Sequence, residues 1–173
     1  MYLIFVYILP KIVVGGMQYL VEIVERKDKP YLQVFLSVIG SVVLIDFVIF
    51  IANKYAEKHP YLTNIIVLFL LIFTCSAIII KYFSKYKYIL EDNQLIFHRL
   101  IGKKAFPILQ LDLNDISIKP YNNNDDIHFK YKFIFGKDYN NYYVGKYNEN
   151  GTDYYFVFQP STKMQRELDK KIK

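Results

Sequence analysis

Asp46 has the setting that most invites chemistry, a lone carboxylate in an apolar run from residue 34 to 52. An ionised side chain at the centre of a membrane helix costs roughly 2.5 to 3.5 kcal/mol on insertion scales, so it is normally kept for a partner or a pathway. Lys11 is the candidate partner. If the N-terminal apolar stretch crosses antiparallel to the next one, helix rise brings Lys11 level with Asp46, and the two form an intramembrane ion pair. The plainer reading leaves Asp46 protonated, or reaching the outer headgroups, without a partner. Catalytic patterns are missing: there is no Gly-rich phosphate loop, no Gly-x-Ser-x-Gly elbow and no His-Glu-x-x-His. His59, His98 and His128 share no metal-ligand spacing, and the lone Cys75 allows neither an intrachain disulfide nor a cysteine zinc site. The carboxylate pairs Asp112/Asp115 and Asp125/Asp126 read as turn residues that accept backbone N–H bonds. We therefore expect a protein that is not an enzyme, with no cofactor and no metal.

Two further groups suit binding. Ser37, Gly40 and Ser41 form a small-residue face on one apolar segment, and Thr74, Ser76 and Ala77 form another on the next. Helix packing is the plain reading of such faces, and homo-oligomerisation the sharper one. A tyrosine cluster, Tyr139, Tyr142, Tyr143, Tyr147, Tyr154 and Tyr155, offers apolar area with polar tips. Tyr139, Tyr142, Tyr143 and Tyr155 are the candidate recognition surface, although alternation along strands turns about half of such residues inward.

The elements that must position these residues divide at residue 84. Residues 34–52 and 65–80 are long enough, with their flanks, to span ~30 Å of hydrocarbon, giving helices near 32–53 and 61–83. Pro60, suited to the first turn of a helix, makes the pair a hairpin with a short polar turn. Residues 1–24 are apolar but broken by Pro10, Lys11, Gly15, Gly16, Gln18 and Glu22. Their charges follow the apolar core, unlike a signal peptide. A kinked third membrane helix over 2–25 and an interfacial helix both remain open. Arg26, Lys27 and Lys29 before the hairpin, and Lys81, Lys85 and Lys87 after it, outnumber Lys54 and Lys58 in its turn, which places the C-terminal half in the cytoplasm.

From residue 85 the period becomes two. Ile127, Phe129, Tyr131, Phe133 and Phe135 alternate with His128, Lys130 and Lys132. Turn signals separate six or seven antiparallel strands near 86–91, 94–100, 105–111, 117–121, 127–135, 142–147 and 153–159. Thr162 with Gln165 makes a capping-box pattern, and Met164, Leu168 and Ile172 recur every four residues, so a helix near 161–172 closes the chain. The net charge of +6 suits an anionic membrane face. Its basic residues are interspersed with acids and form no dense stripe, so no nucleic-acid partner is expected.

The hairpin Tyr88-Ile-Leu-Glu-Asp-Asn-Gln-Leu-Ile-Phe97, the turn at Gly102, the segment 108–116 ending in Leu113, Asp115 and Ile116, and the strand-Pro160-helix ending carry a resemblance. Over residues 85–173 the chain resembles the bacterial pleckstrin-homology-like domains of small membrane proteins, in which two apolar helices also precede the domain. The resemblance implies a partly open seven-stranded barrel capped by a C-terminal helix, and no catalytic residue. Phosphoinositide binding does not carry over, because the first hairpin turn here is acidic, Glu91 and Asp92. The expectation is a multi-pass membrane protein with residues 1–84 in the membrane region and 85–173 as a cytoplasmic binding or scaffold domain. Its partners would be the bilayer and a protein or peptide. The alternative is a small accessory or protective membrane protein, such as a transporter subunit or toxin-immunity factor, whose helices carry the function.

Overall fold

Ile, Val, Tyr and Phe dominate the N-terminal residues, and such side chains lose rotamer freedom in a helix but suit a pleated surface. In the computed structural model, which describes residues 4–8, 12–14, 17–26, 30–55, 60–122, 127–135 and 141–172, this stretch is strand. β1 (Ile4–Ile8), β2 (Ile12–Val14) and β3 (Met17–Arg26) replace the helix expected over 2–25. Both β1 and β2 pair antiparallel with β3. Gly15-Gly16 falls in sequence between β2 and β3, where a tight hairpin signal belongs.

β3 also pairs antiparallel with β4 (Lys85–Glu91), from Tyr19 opposite Glu91 to Val24 opposite Tyr86. β5 (Gln94–Ile101) and β6 (Lys104–Asp112) continue the meander, so sheet A runs β1-β3-β4-β5-β6 with β2 beside β3. The β unit therefore comprises residues 1–28 and 85–173, and residues 29–84 form a separate unit. One unit boundary falls after residue 84, as expected, whereas residues 1–28, expected in the membrane region, group with the β unit. β3 gives β4 its hydrogen-bonded neighbour and lends Leu20 and Val24 to the core.

Sheet B holds β7 (Ile116–Pro120), β8 (Phe129–Phe133), β9 (Tyr143–Glu149) and β10 (Thr152–Phe158), in the order β7-β9-β10-β8. Not every pairing is antiparallel, as β8 lies parallel to β10. A tight turn with Asn150 and Gly151 at positive φ fixes β9 against β10, and β7 takes the other side of β9. The remaining side of β10 goes to β8. The two sheets stay open and do not close into a barrel.

The core is aromatic. Phe97 of β5 stacks on Phe133 of β8 with centroids 4.2 Å apart, and Phe156 and Phe158 meet Phe97 edge-on. Leu113 and Ile116 flank a 3₁₀ turn that Asp112 caps by accepting from the Asn114 N–H at 2.9 Å, and both are buried, whereas Asp115 is exposed. A Cβ on Gly145 would lie 2.0 Å from the Phe156 ring, so only glycine lets that ring lie across β9. Helix α3 (Thr162–Lys171) buries Met164 and Leu168 against this cluster. Its N-cap is Ser161, one residue before the expected Thr162, and Gln165 donates to the Pro160 carbonyl at 3.1 Å.

The second unit is a pair of helices, α1 (Tyr31–Tyr55) and α2 (Pro60–Phe83). Both are long and apolar enough to cross a membrane, with apolar spans of 24 and 21 residues, about 36 and 32 Å at 1.5 Å per residue. Ser37 and Tyr82 share a hydrogen bond of 2.9 Å between the helices. Ser41 and Thr74 donate to the carbonyls of Ser37 and Leu70, which satisfies their hydroxyls within each helix. Phe35, Val43, Phe47, Phe50, Phe69 and Phe73 point outward, exposed.

Candidate functional site

The sequence candidates scatter. Asp46 is exposed on α1. Lys11 lies outside the described residues, between β1 and β2, and the antiparallel helix on which the Lys11–Asp46 pairing depended is not formed. Of the small-residue face, Ser37 engages α2, while Gly40 is exposed, with open space where a Cβ would stand. Tyr139 lies outside the described residues. Tyr142 is buried, and Tyr143 is half-buried against Phe158, so neither belongs to an open recognition surface. Tyr155 lines a cavity.

That cavity, about 500 Å³, lies on sheet B and is lined by Ile127, His128, Lys130, Asp153, Tyr154 and Tyr155. Its central feature is Lys130, which falls at the irregularity in the β8–β10 register, between Phe129 opposite Tyr155 and Tyr131 opposite Phe156. The ammonium sits 3.6 Å from the centroid of the Tyr154 ring and donates to Glu149 Oε2 at 2.8 Å. The side chain thus reaches across β10 to β9 and covers an aromatic face on the way. Beside it, Lys146 pairs with Asp153 at 2.6 Å, and Asn148 Nδ2 donates to the same carboxylate at 2.9 Å. A second cavity of about 340 Å³ shares Asp153 and adds Asn114, Asp115, Ser117, Lys146, Tyr147 and Asn148.

The electrostatics favour fixed charges over proton transfer. The Glu149 hydrogen bond raises the Lys130 pKa further above the physiological range. The Lys146 and Asn148 hydrogen bonds hold the Asp153 carboxyl below its ordinary range. A general base needs a pKa near the working pH, and both groups move away from it. No group of three or more His, Cys, Asp or Glu side chains able to hold a metal ion occurs among the described residues. The face instead offers tyrosine rings, a half-covered cation and an edge strand. β8 ends the sheet and, among the described residues, pairs with no strand other than β10, while its Phe133 carbonyl accepts from the Tyr88 hydroxyl.

Sequence reasoning put Lys130 on the wet face of its strand but missed its partners. Glu149 and Tyr154 become its neighbours only through the parallel β8–β10 register, which no local pattern announces.

A second polar device went unnoticed. Glu22 of β3 is 0 % exposed and accepts from the Ser161 N–H at 3.0 Å and from the Ser161 hydroxyl. Ser161 Oγ in turn accepts from the Met164 N–H at 3.3 Å as the cap of α3. Burial raises the Glu22 pKa, against the opposing pull of the two Ser161 bonds and Lys163. This network joins the N-terminal strand to the C-terminal helix and is structural in character. No family model, curated protein or solved structure matches the chain.

Proposed function

We propose that the chain is a membrane-anchored, non-enzymatic binding protein whose β unit docks a protein or peptide partner on the cytoplasmic side. The observation that carries this reading is the connection between β3 and β4. Two adjacent antiparallel strands, ordinarily joined by a few residues, are joined here by a helical hairpin whose outer faces are apolar and exposed. Exposed apolar area on that scale in water marks an interaction surface, and a bilayer satisfies it. The hairpin then crosses twice, and residues 1–28 and 85–173 lie on one side. The excess of lysine and arginine at its two ends makes that side the cytoplasm.

For the β unit, an extended peptide adding to the open edge of β8 meets the Lys130–Tyr154 face directly, the combination used in strand-addition recognition. The test needs the full chain in detergent, because β3 is integral to sheet A. Probed on an array of unstructured peptides, it should give hits whose binding falls on the order of tenfold in K130A and Y154A. Absence of hits, or hits indifferent to both variants, sinks the peptide-docking reading. A second reading, an accessory or protective role carried by the hairpin, is favoured by the exposed Asp46 on α1, placed where another membrane helix or a second copy could meet it. Loss of cellular activity in D46N with unchanged peptide binding would select that reading.

A further inference from the structure

Sheet A is electrostatically polarised along its strands, and the sense of the polarity follows the chain. At one end stand the last residues of β3 and the first of β4, with Val24 opposite Tyr86. Lys85 is opposite Leu100, and Ile101 opposite Lys104, so the β5–β6 turn projects from this same end. The turn lies two strands from Lys85, about 10 Å at the usual strand spacing. This is also the end from which the chain departs to α1 and to which it returns from α2. Ser84 is the single residue between Phe83 of α2 and Lys85 of β4.

The described residues at this end include Arg26, Lys85, Lys87, Arg99, Lys103 and Lys104, and their one acidic neighbour, Glu25, is bonded to Lys85. The opposite end carries Glu91, Asp92 and Asp112. Gly102, at φ +59°, makes the β5–β6 turn tight and leaves Lys103 at its tip. Lys104 and Phe106, two apart on β6, share a face of the sheet. Phe106 is 47 % exposed, and among the described residues it is the one large exposed apolar side chain of the β unit. A solvent-exposed phenylalanine on β6, on the same face as Lys104 and two strand residues in from the Gly102-Lys103 turn, has the chemistry of an interfacial anchor. The ring suits the acyl boundary and the ammonium groups suit headgroup phosphates.

We propose that the end of the β5–β6 hairpin lies against an anionic phospholipid surface through the face that carries Lys104 and Phe106, with Phe106 at the acyl boundary and Lys103 and Lys104 on the headgroups. This rests on the membrane-anchored reading and adds a lipid contact that fixes the β unit against the bilayer.

The sequence contains no tryptophan, so F106W gives a single indole probe on β6 near the hairpin turn. The full chain carrying F106W is placed in nanodiscs of phosphatidylglycerol or of phosphatidylcholine, with and without brominated acyl chains. In phosphatidylglycerol discs the emission should be blue-shifted and quenched by bromine. Adding K103Q and K104Q should lower the docked-to-free ratio about 25-fold, roughly fivefold for each lysine. High salt should act in the same direction. Hydrogen exchange of residues 101–106 in the unsubstituted chain provides a probe-free check, with slower exchange expected in the anionic discs. A water-like, unquenched indole with no exchange difference overturns the proposal, as does equal quenching in both lipids that is indifferent to the lysine changes. Co-elution of the chain with the discs keeps the two readings apart. Failure to co-elute refutes the membrane anchor itself, whereas co-elution with an unquenched indole refutes only the docking.

Discussion

Glu22 and Asp46 are both single carboxylates set in apolar stretches, and they have opposite fates. Asp46 sits in the longer, cleaner apolar run, and hydropathy singles it out for a partner. Yet it is exposed on α1, while Glu22 is sealed inside the β unit on the cap of α3. The difference lies in what covers the neighbouring apolar residues. Leu20 and Val24, on the same strand as Glu22, are covered by the protein itself, whereas Val43 and Phe47 beside Asp46 are exposed. An apolar run reports that side chains leave water. It does not report whether protein or lipid receives them.

The strongest way to sharpen this contrast is to place the same charge in both stretches. Val24→Asp puts a carboxylate into the aromatic core, at a cost on the order of 4 kcal/mol or more. Cooperative urea unfolding of the β unit, followed by tyrosine fluorescence in detergent, should be lost. Val43→Asp lies on the outer face of α1 and should leave that transition in place. Its penalty, roughly 2.5 to 3.5 kcal/mol, should appear instead in membrane insertion assays. Equal effects of the two changes on β-unit unfolding would erase the distinction between the stretches.

Much of the fold was legible where local chemistry decides. The uncharged length of residues 65–80, the alternation of residues 86–91 with 94–100 about the Asp92-Asn93 turn, and the four-residue spacing of Met164 and Leu168 each point to one element. The N-terminal strands were not legible for a physical reason. β3 has sheet neighbours on both edges and near-continuous burial from Leu20 to Glu22, so its apolar residues do not alternate, and a buried strand of this kind reads like a helix segment. The candidate binding face failed for another reason. Lys130, Glu149 and Tyr154 belong to three strands, and their meeting depends on which edge of β10 the chain returns to.

A gentler test acts on Glu22 alone. Its pKa is raised above the ordinary 4.5, chiefly by burial, so the folded protein holds the Glu22 proton more tightly than the unfolded chain. The stabilisation linked to that proton is complete below about pH 4.5 and is lost as pH rises through the higher folded value. Relative to E22Q, which cannot titrate, the wild type should therefore lose stability on going from acid toward neutral pH. Glu22→Ala, which does not titrate either, should cost about 1 to 3 kcal/mol at acid pH, because the Ser161 N–H loses its acceptor, and less as pH rises. A wild-type minus E22Q difference that stays flat with pH would mean that Glu22 is solvated in solution.

The smallest expected effect belongs to the hairpin. Ser37 and Tyr82 share a hydrogen bond between α1 and α2, and with the hairpin in a bilayer, as proposed, the lipid and helix surfaces around it would be equally apolar. Hydrophobic burial cannot distinguish paired from separated helices in that setting, which leaves packing and such hydrogen bonds to hold the pair. Bonds of this type average about 0.6 kcal/mol, because separated helices find other partners for their hydroxyls. Ser41 and Thr74 illustrate the alternative, each satisfied by a carbonyl one turn back. A double-mutant cycle with S37A and Y82F, measured as hairpin unfolding in mixed micelles, should return a coupling of about that size. A coupling several times larger would make this one contact the clamp of the hairpin, and the membrane unit would then depend on buried polar bonding as heavily as the β unit depends on Glu22.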